Sequence, residues 1–137
     1  MISETYAFRF TVPESAIDAN GHANNVAFVS WMQDAAISHS DATGGTAEAV
    51  RLGGTWVVRE HTIEYLRPLF VGDAVTLETW IEDAEGVRST RRYRFLASDS
   101  GKEVARGRTL WVFVDSTSGR PRAIPDTVIN AFRPRKD

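Results

Sequence analysis

Residues 16–31 read AIDANGHANNVAFVSW and gather Asp18, Asn20, His22, Asn24 and Asn25 immediately ahead of an apolar run with helical spacing. An acid, an imidazole and several amides at the start of a helix form a set that can do chemistry. The first turn of a helix leaves backbone N–H groups without intrahelical acceptors, and the helix dipole makes that end positive. Such donors stabilise the charge that develops on a carbonyl oxygen in acyl transfer, as an oxyanion hole does. Asp18, seven residues before Asn25, would then serve as nucleophile or activate water. The same residues also fit a purely structural description. Asp, Asn and Gly are ordinary turn formers, Asn-Gly tolerates positive φ, and Asn24 or Asn25 would cap the helix. Spacing alone leaves both readings open.

The remaining ionisable residues are less concentrated. His22 either takes part in the chemistry or braces the loop through a hydrogen bond. His39, near the far end of the helix, reads as packed or dipole-stabilised. His61, mid-strand beside Arg59, is a candidate for a substrate cleft. On a strand, Arg88, Arg92 and Arg94 share one face and Arg91 points to the other. They describe either a solvated sheet face or a site for phosphates, for which the arginine fork suits bidentate contacts. Three widely spaced histidines and no cysteine give no metal-ligand pattern, and a metal site would need carboxylates to complete it. No G-x-S-x-G elbow, phosphate-binding glycine loop or H-E-x-x-H is present.

These residues need a frame to hold them. Period-two alternation over 4–12 predicts a strand ended by Pro13. Phe28, Trp31, Met32, Ala35 and His39 follow i, i+3, i+4, i+7 spacing, while Val26, Val29, Ala36 and Ile37 add apolar surface on other faces. That pattern predicts a helix wrapped on all sides, stopped by Gly44-Gly45. A short helical turn is expected over 47–52. Strands are expected over 55–66, 74–84, 86–98 and 102–115, as a four-strand meander, with a short terminal helix over 126–132. Trp80 on the polar side of one strand, and Trp111 with Phe113 on another, suggest that both sheet faces carry apolar groups. Dimerisation is an economical way to cover them.

Composition bounds the rest. At 137 residues with 42% hydrophobic and 25% charged residues, the chain reads as one soluble domain over 1–137. A net charge of −2 gives no global attraction to nucleic acid. The lack of cysteine and a polar N-terminus set a cytoplasmic expectation, and no apolar run is long enough for membrane insertion.

The stretch DANGHANNVAFVSW resembles the D-x-x-G-H-x-N-N-x-x-aromatic signature of the 4-hydroxybenzoyl-CoA thioesterase-like branch of the hotdog-fold superfamily. It also resembles the D-x-N-x-H-V-N-N-x-x-Y segment of plant acyl-ACP thioesterases. HTIEYLRPLFVGD and EVARGRTLWVFVDSTSGRPRAIP are similar to the family's strand-to-turn segment and its final strand, so the resemblance runs in order along nearly the whole chain. It implies an α+β hotdog fold, a curved antiparallel sheet wrapped around a long central helix. It further implies hydrolysis of an acyl-CoA or acyl-carrier-protein thioester. Asp18 matches the acid that acts as nucleophile or general base, and Asn25 the residue whose backbone N–H polarises the carbonyl. Asn20 and His22 match the Asn and His used by the plant enzymes. Near another catalytic position of those enzymes, after E-Y-x-R, this chain has Pro68. The resemblance implies a homodimer or dimer-based tetramer with sites at the subunit interface, and no cofactor beyond the coenzyme A of the substrate. Arg59, His61, Arg88, Arg91 and Arg92 are the candidates for holding that substrate. Two other activities fit the same frame: a hydratase or dehydratase of acyl thioesters, and a noncatalytic acyl-CoA-binding module.

Overall fold

The computed structural model describes residues 1–134. The first alternating segment forms β1 (Tyr6–Thr11), followed by one 3₁₀ turn. The helical spacing becomes α1 (Asn25–Thr43), 19 residues and about 28 Å long at ~1.5 Å per residue. Asn24 caps it: its Oδ1 accepts from Ala27 N at 2.7 Å. Gly44 ends it with φ 86°, a left-handed conformation that favours a residue without Cβ. The chain then enters α2 (Gly45–Arg51) directly, so the expected turn over 47–52 begins two residues early, at the second glycine. Four long strands follow, β2 (Gly54–Tyr65), β3 (Ala74–Glu85), β4 (Arg88–Ala97) and β5 (Glu103–Asp115), and then α3 (Asp126–Phe132) as expected.

The five strands make one antiparallel sheet in the order β1-β3-β4-β5-β2. This corrects the four-strand meander. Only β3, β4 and β5 follow one another as neighbours, while β2 pairs with β5 and leaves its other edge open. The connection from 66 to 73 therefore joins the β2 edge to a strand on the far side of the sheet. It is stitched down by backbone bonds: Leu66 N to Val104 O, Ala23 N to Leu69 O, Gly72 N to Val12 O and Val12 N to Asp73 O.

The inner face of the sheet receives α1. Phe28, Trp31, Met32 and Ala35 pack on Val75, Leu77, Tyr93, Phe95 and Ala105, with Met32, Ala35, Leu77 and Phe95 fully buried. Gly107 lets the helix approach: a Cβ there would lie 2.9 Å from Thr62 O and 3.2 Å from Met32 Cε. A smaller cluster of Ala49, Phe113, Ile124 and Val128 closes the other end under α2 and α3. The expectation of a helix wrapped on all sides fails within the single chain. Val26 is 73% exposed and Ile37 56%, so α1 buries one face and leaves these two apolar side chains outside, with Ser30, Gln33 and Asp34 exposed between them.

Two bulges decide which side chains point inward. The register of β2 against β5 shifts between Val58 and Glu60, making Arg59 the extra residue. Before it Trp56 and Val58 face the helix side; after it His61 and Ile63 do, as their pairing with Thr109 and Gly107 requires. A second bulge between Ile81 and Asp83 does the same to β3.

Candidate active site

The loop carrying Asp18 is a small closed unit. Ile17 and Ala23 pair across it, Asp18 N donates to His22 O at 3.0 Å, and Gly21 N donates to Asp18 O at 3.0 Å. Gly21 sits at φ 84°, which a side chain would strain. Asp18 Oδ1 accepts from Asn20 N at 2.9 Å, an Asx turn that leaves Oδ2 without a partner among the described residues. Two longer-range bonds anchor the unit, Ala23 N to Leu69 O at 2.8 Å and Asn24 N to Ala16 O at 2.9 Å.

Asn25 follows as the first residue of α1. Asn24 takes up the Ala27 N–H, and among the described residues no acceptor outside the helix meets the N–H of Asn25. The turn-and-cap description thus leaves free the donor that the reactive description needs. The cap occupies one orphan donor, and the Asn25 N–H remains open beside the Asp18 loop.

Tyr65, absent from the expected site, belongs beside it. Its hydroxyl donates to Asn25 O at 3.1 Å, and its ring meets Phe28 edge-on at 5.1 Å. It ties the end of β2 to the start of α1. Its sequence signal was the E-Y pair, but only strand pairing brings it to the helix. His22 is half-buried, with its ring 6.4 Å from that of Phe70. Asn20 is exposed and contributes its backbone N–H to Asp18.

The other candidates lie elsewhere. His61 is half-buried on the inner face, its Nδ1 2.8 Å from Thr109 Oγ1, and burial lowers its pKa. It stands four residues, about 13 Å of strand, from Tyr65. Arg59 is exposed at the bulge of the edge strand. Arg88 and Arg92 lie on the outer face. Arg92 is engaged with Glu82 at 3.1 Å, Arg94 with Glu78 at 3.0 Å and Arg108 with Glu60 at 3.2 Å, so much of that face is a solvated lattice of ion pairs. Arg91 parts from them entirely. It is 4% exposed on the inner face, where Nη1 donates to His39 Nδ1 at 2.9 Å and to Thr79 Oγ1 at 3.0 Å. A single phosphate site built from Arg88, Arg91 and Arg92 is ruled out because the sheet lies between them.

The chain is 26% identical over 145 aligned residues to a chloroplastic palmitoyl-acyl carrier protein thioesterase of Cuphea hookeriana. That alignment takes in 98% of this chain but 34% of the plant protein, so the chain spans about a third of that relative's length. An acyl-CoA thioester hydrolase of Escherichia coli, YbgC, is 27% identical over 119 residues, 85% of this chain and 87% of that one. Among solved structures, a 1,4-dihydroxy-2-naphthoyl-CoA thioesterase from Synechocystis superposes with a TM-score of 0.84 at 18% identity, over 94% of this chain and 96% of the other. The shared architecture, an antiparallel sheet with a long helix on one face, is the α+β hotdog fold. The profile of the thioesterase-like superfamily matches residues 12–132, from the end of β1 through α3, and the chain belongs to that superfamily.

Proposed function

We propose that the chain hydrolyses an acyl thioester at the start of α1. The observation that carries this reading is the open Asn25 N–H beside a loop whose bonds hold Asp18 in place. The thioester oxygen lies on the Asn25 N–H, where the helix end stabilises the negative charge it gains as the carbonyl carbon becomes tetrahedral. Asp18 takes a proton from water and the resulting hydroxide adds to the carbonyl carbon. The tetrahedral species then collapses, breaks the C–S bond and releases the thiolate, which takes up a proton, leaving the free acid. In the alternative course, Asp18 Oδ2 adds directly and water hydrolyses the mixed anhydride. Both courses use water as co-reactant and yield the same products. Tyr65 positions the first turn by holding Asn25 O.

The substrate is an acyl-CoA or an acyl-carrier-protein ester, a reading supported by the activities of the plant and Escherichia coli relatives. A second copy of the chain completes the molecule, a reading supported by the exposed Val26 and Ile37 of α1 and the open edge of β2. A panel of aliphatic and aromatic acyl-CoA esters, plus one carrier-protein ester, assayed for thiol release tests the reading. Asp18→Asn is expected to lower turnover at least 100-fold with an unchanged circular dichroism spectrum. Near-normal hydrolysis by that variant sinks the mechanism. Saturable ester binding without thiol release marks a binding module, and hydration of a crotonyl thioester marks a hydratase.

A further inference from the structure

At the opposite end of α1 from Asn25 lies a cavity of about 370 Å³ between the helix, α3 and the inner face of the sheet. Its lining includes Ala36 and Ile37 of α1, Trp56, Ile81 and Trp111 of the sheet, and Phe132. Hydroxyl and amide side chains, among them Ser40, Thr55 and Gln33, interrupt this apolar lining, and Arg91 is its one charged residue. Arg91 and His39 are hydrogen-bonded, and His39 lies 14 residues beyond Asn25, about 21 Å along the helix.

Arg91 is anomalous there. A buried charge is ordinarily paired, because removing it from water costs several kcal/mol that a counter-ion must offset. Among the described residues no carboxylate lies within ion-pair distance of it, although the outer-face arginines are well supplied with acids. Its two recorded partners are neutral: His39 Nδ1 and Thr79 Oγ1 both accept from the same nitrogen, Nη1. The donors on Nε and Nη2 have no partner among the described residues. Tyr6 stacks on His39 at 4.9 Å, and Phe132 stands 5.9 Å from the guanidinium, so the cation is held in a fixed place.

We propose that this cavity binds an apolar carboxylate, with its head on the free edge of the Arg91 guanidinium and its body against Trp56, Trp111 and Phe132. A planar fork of N–H donors matches a carboxylate in bidentate fashion, and one buried cation calls for one negative charge. The volume holds a ligand of roughly ten to twelve heavy atoms, at about 30 Å³ for each water-sized group. A medium-chain fatty acid or an aryl-alkyl acid fits. The site stands apart from the Asp18 loop, and its occupancy does not depend on thioester hydrolysis.

The test uses the purified full chain with octanoate and its neutral isostere octanamide, read by calorimetry and by the fluorescence of Trp56 and Trp111. Octanoate is expected to bind at least tenfold more tightly than octanamide. Arg91→Met is expected to bring octanoate to the level of the amide, Arg91→Lys to fall between, and Asp18→Asn to leave octanoate binding within about twofold. Equal affinity of acid and amide for the wild-type chain overturns the inference, and this comparison needs no variant to fold. Failure of octanoate to bind also overturns it, showing a cavity closed in solution. Loss of octanoate binding in Asp18→Asn but not in Arg91→Met overturns it too, by placing the acid at the helix N-terminus. Thiol release is not read here, so a failure of the proposed hydrolysis leaves the outcome untouched.

Discussion

The buried pair of Arg91 and His39 sets a pH dependence that belongs to single residues. Burial and the neighbouring Arg91 charge lower the His39 pKa from the ordinary 6.5 to about 4. Arg91 itself is drawn down by burial to about 10 and stays charged at neutral pH. Its N–H occupies His39 Nδ1, so the proton of the neutral ring is on Nε2. Below pH 6.5 the unfolded chain binds a proton at this histidine that the folded chain refuses, so stability rises with pH across the window from about 4 to 6.5. The contribution is complete above 6.5 and lost as pH falls toward 4, a total of roughly 3 kcal/mol for a shift of this size. Urea denaturation at pH 7 and pH 4.5 is expected to show most of that difference, and a His39→Gln variant to lack it. The loop and cap around Asp18 were legible in the sequence because they are local: acid, turn glycine, cap and helix lie within ten residues. The setting of Arg91 was not. Alternation places it on the opposite face from Arg92, but whether a carboxylate or a histidine awaits it depends on a helix 52 residues away.

At the scale of elements, α1 and the sheet each offer a direct test. Asn24→Ala removes the bond to Ala27 N and is expected to destabilise the chain by about 1 kcal/mol. Loosening the first turn also displaces the Asn25 N–H, so turnover is expected to fall further than stability alone explains; paired denaturation and kinetic measurements separate the two. Gly107→Val places branched carbons against Thr62 O and Met32, and since the carbonyl belongs to backbone the strand must move. A loss of roughly 2 kcal/mol or more is expected in thermal or denaturant unfolding. Strand positions were readable from alternation, with ends correct to one or two residues. Strand order was not, because pairing is set by contacts between distant segments. The bulge at Arg59 was equally invisible: strict alternation from Trp56 and Val58 would have turned Glu60 inward and His61 out.

At the scale of the whole molecule, two features lie uncovered. The edge of β2 carries Val57 and Tyr65, each 43% exposed, and α1 presents Val26 and Ile37 to solvent. An open, apolar strand edge is a template for pairing, and a second copy offers the same edge in return. The chain is expected to elute as a dimer or larger in light-scattering chromatography. Val57→Lys is expected to raise the dissociation constant at least tenfold. If the sites form between subunits, specific activity falls with dilution in step.

The crossing of the sheet by residues 66–73 also bears on how the molecule assembles itself. Leu69 O holds the Asp18 loop through Ala23 N, while the same segment is bonded to β5 at one end and to residues after β1 at the other. None of these contacts is local, and closing them requires ordering chain from residue 12 to residue 104. The loop that is easiest to recognise in the sequence thus owes its place to chain far outside it. Its geometry is a reporter of the finished sheet.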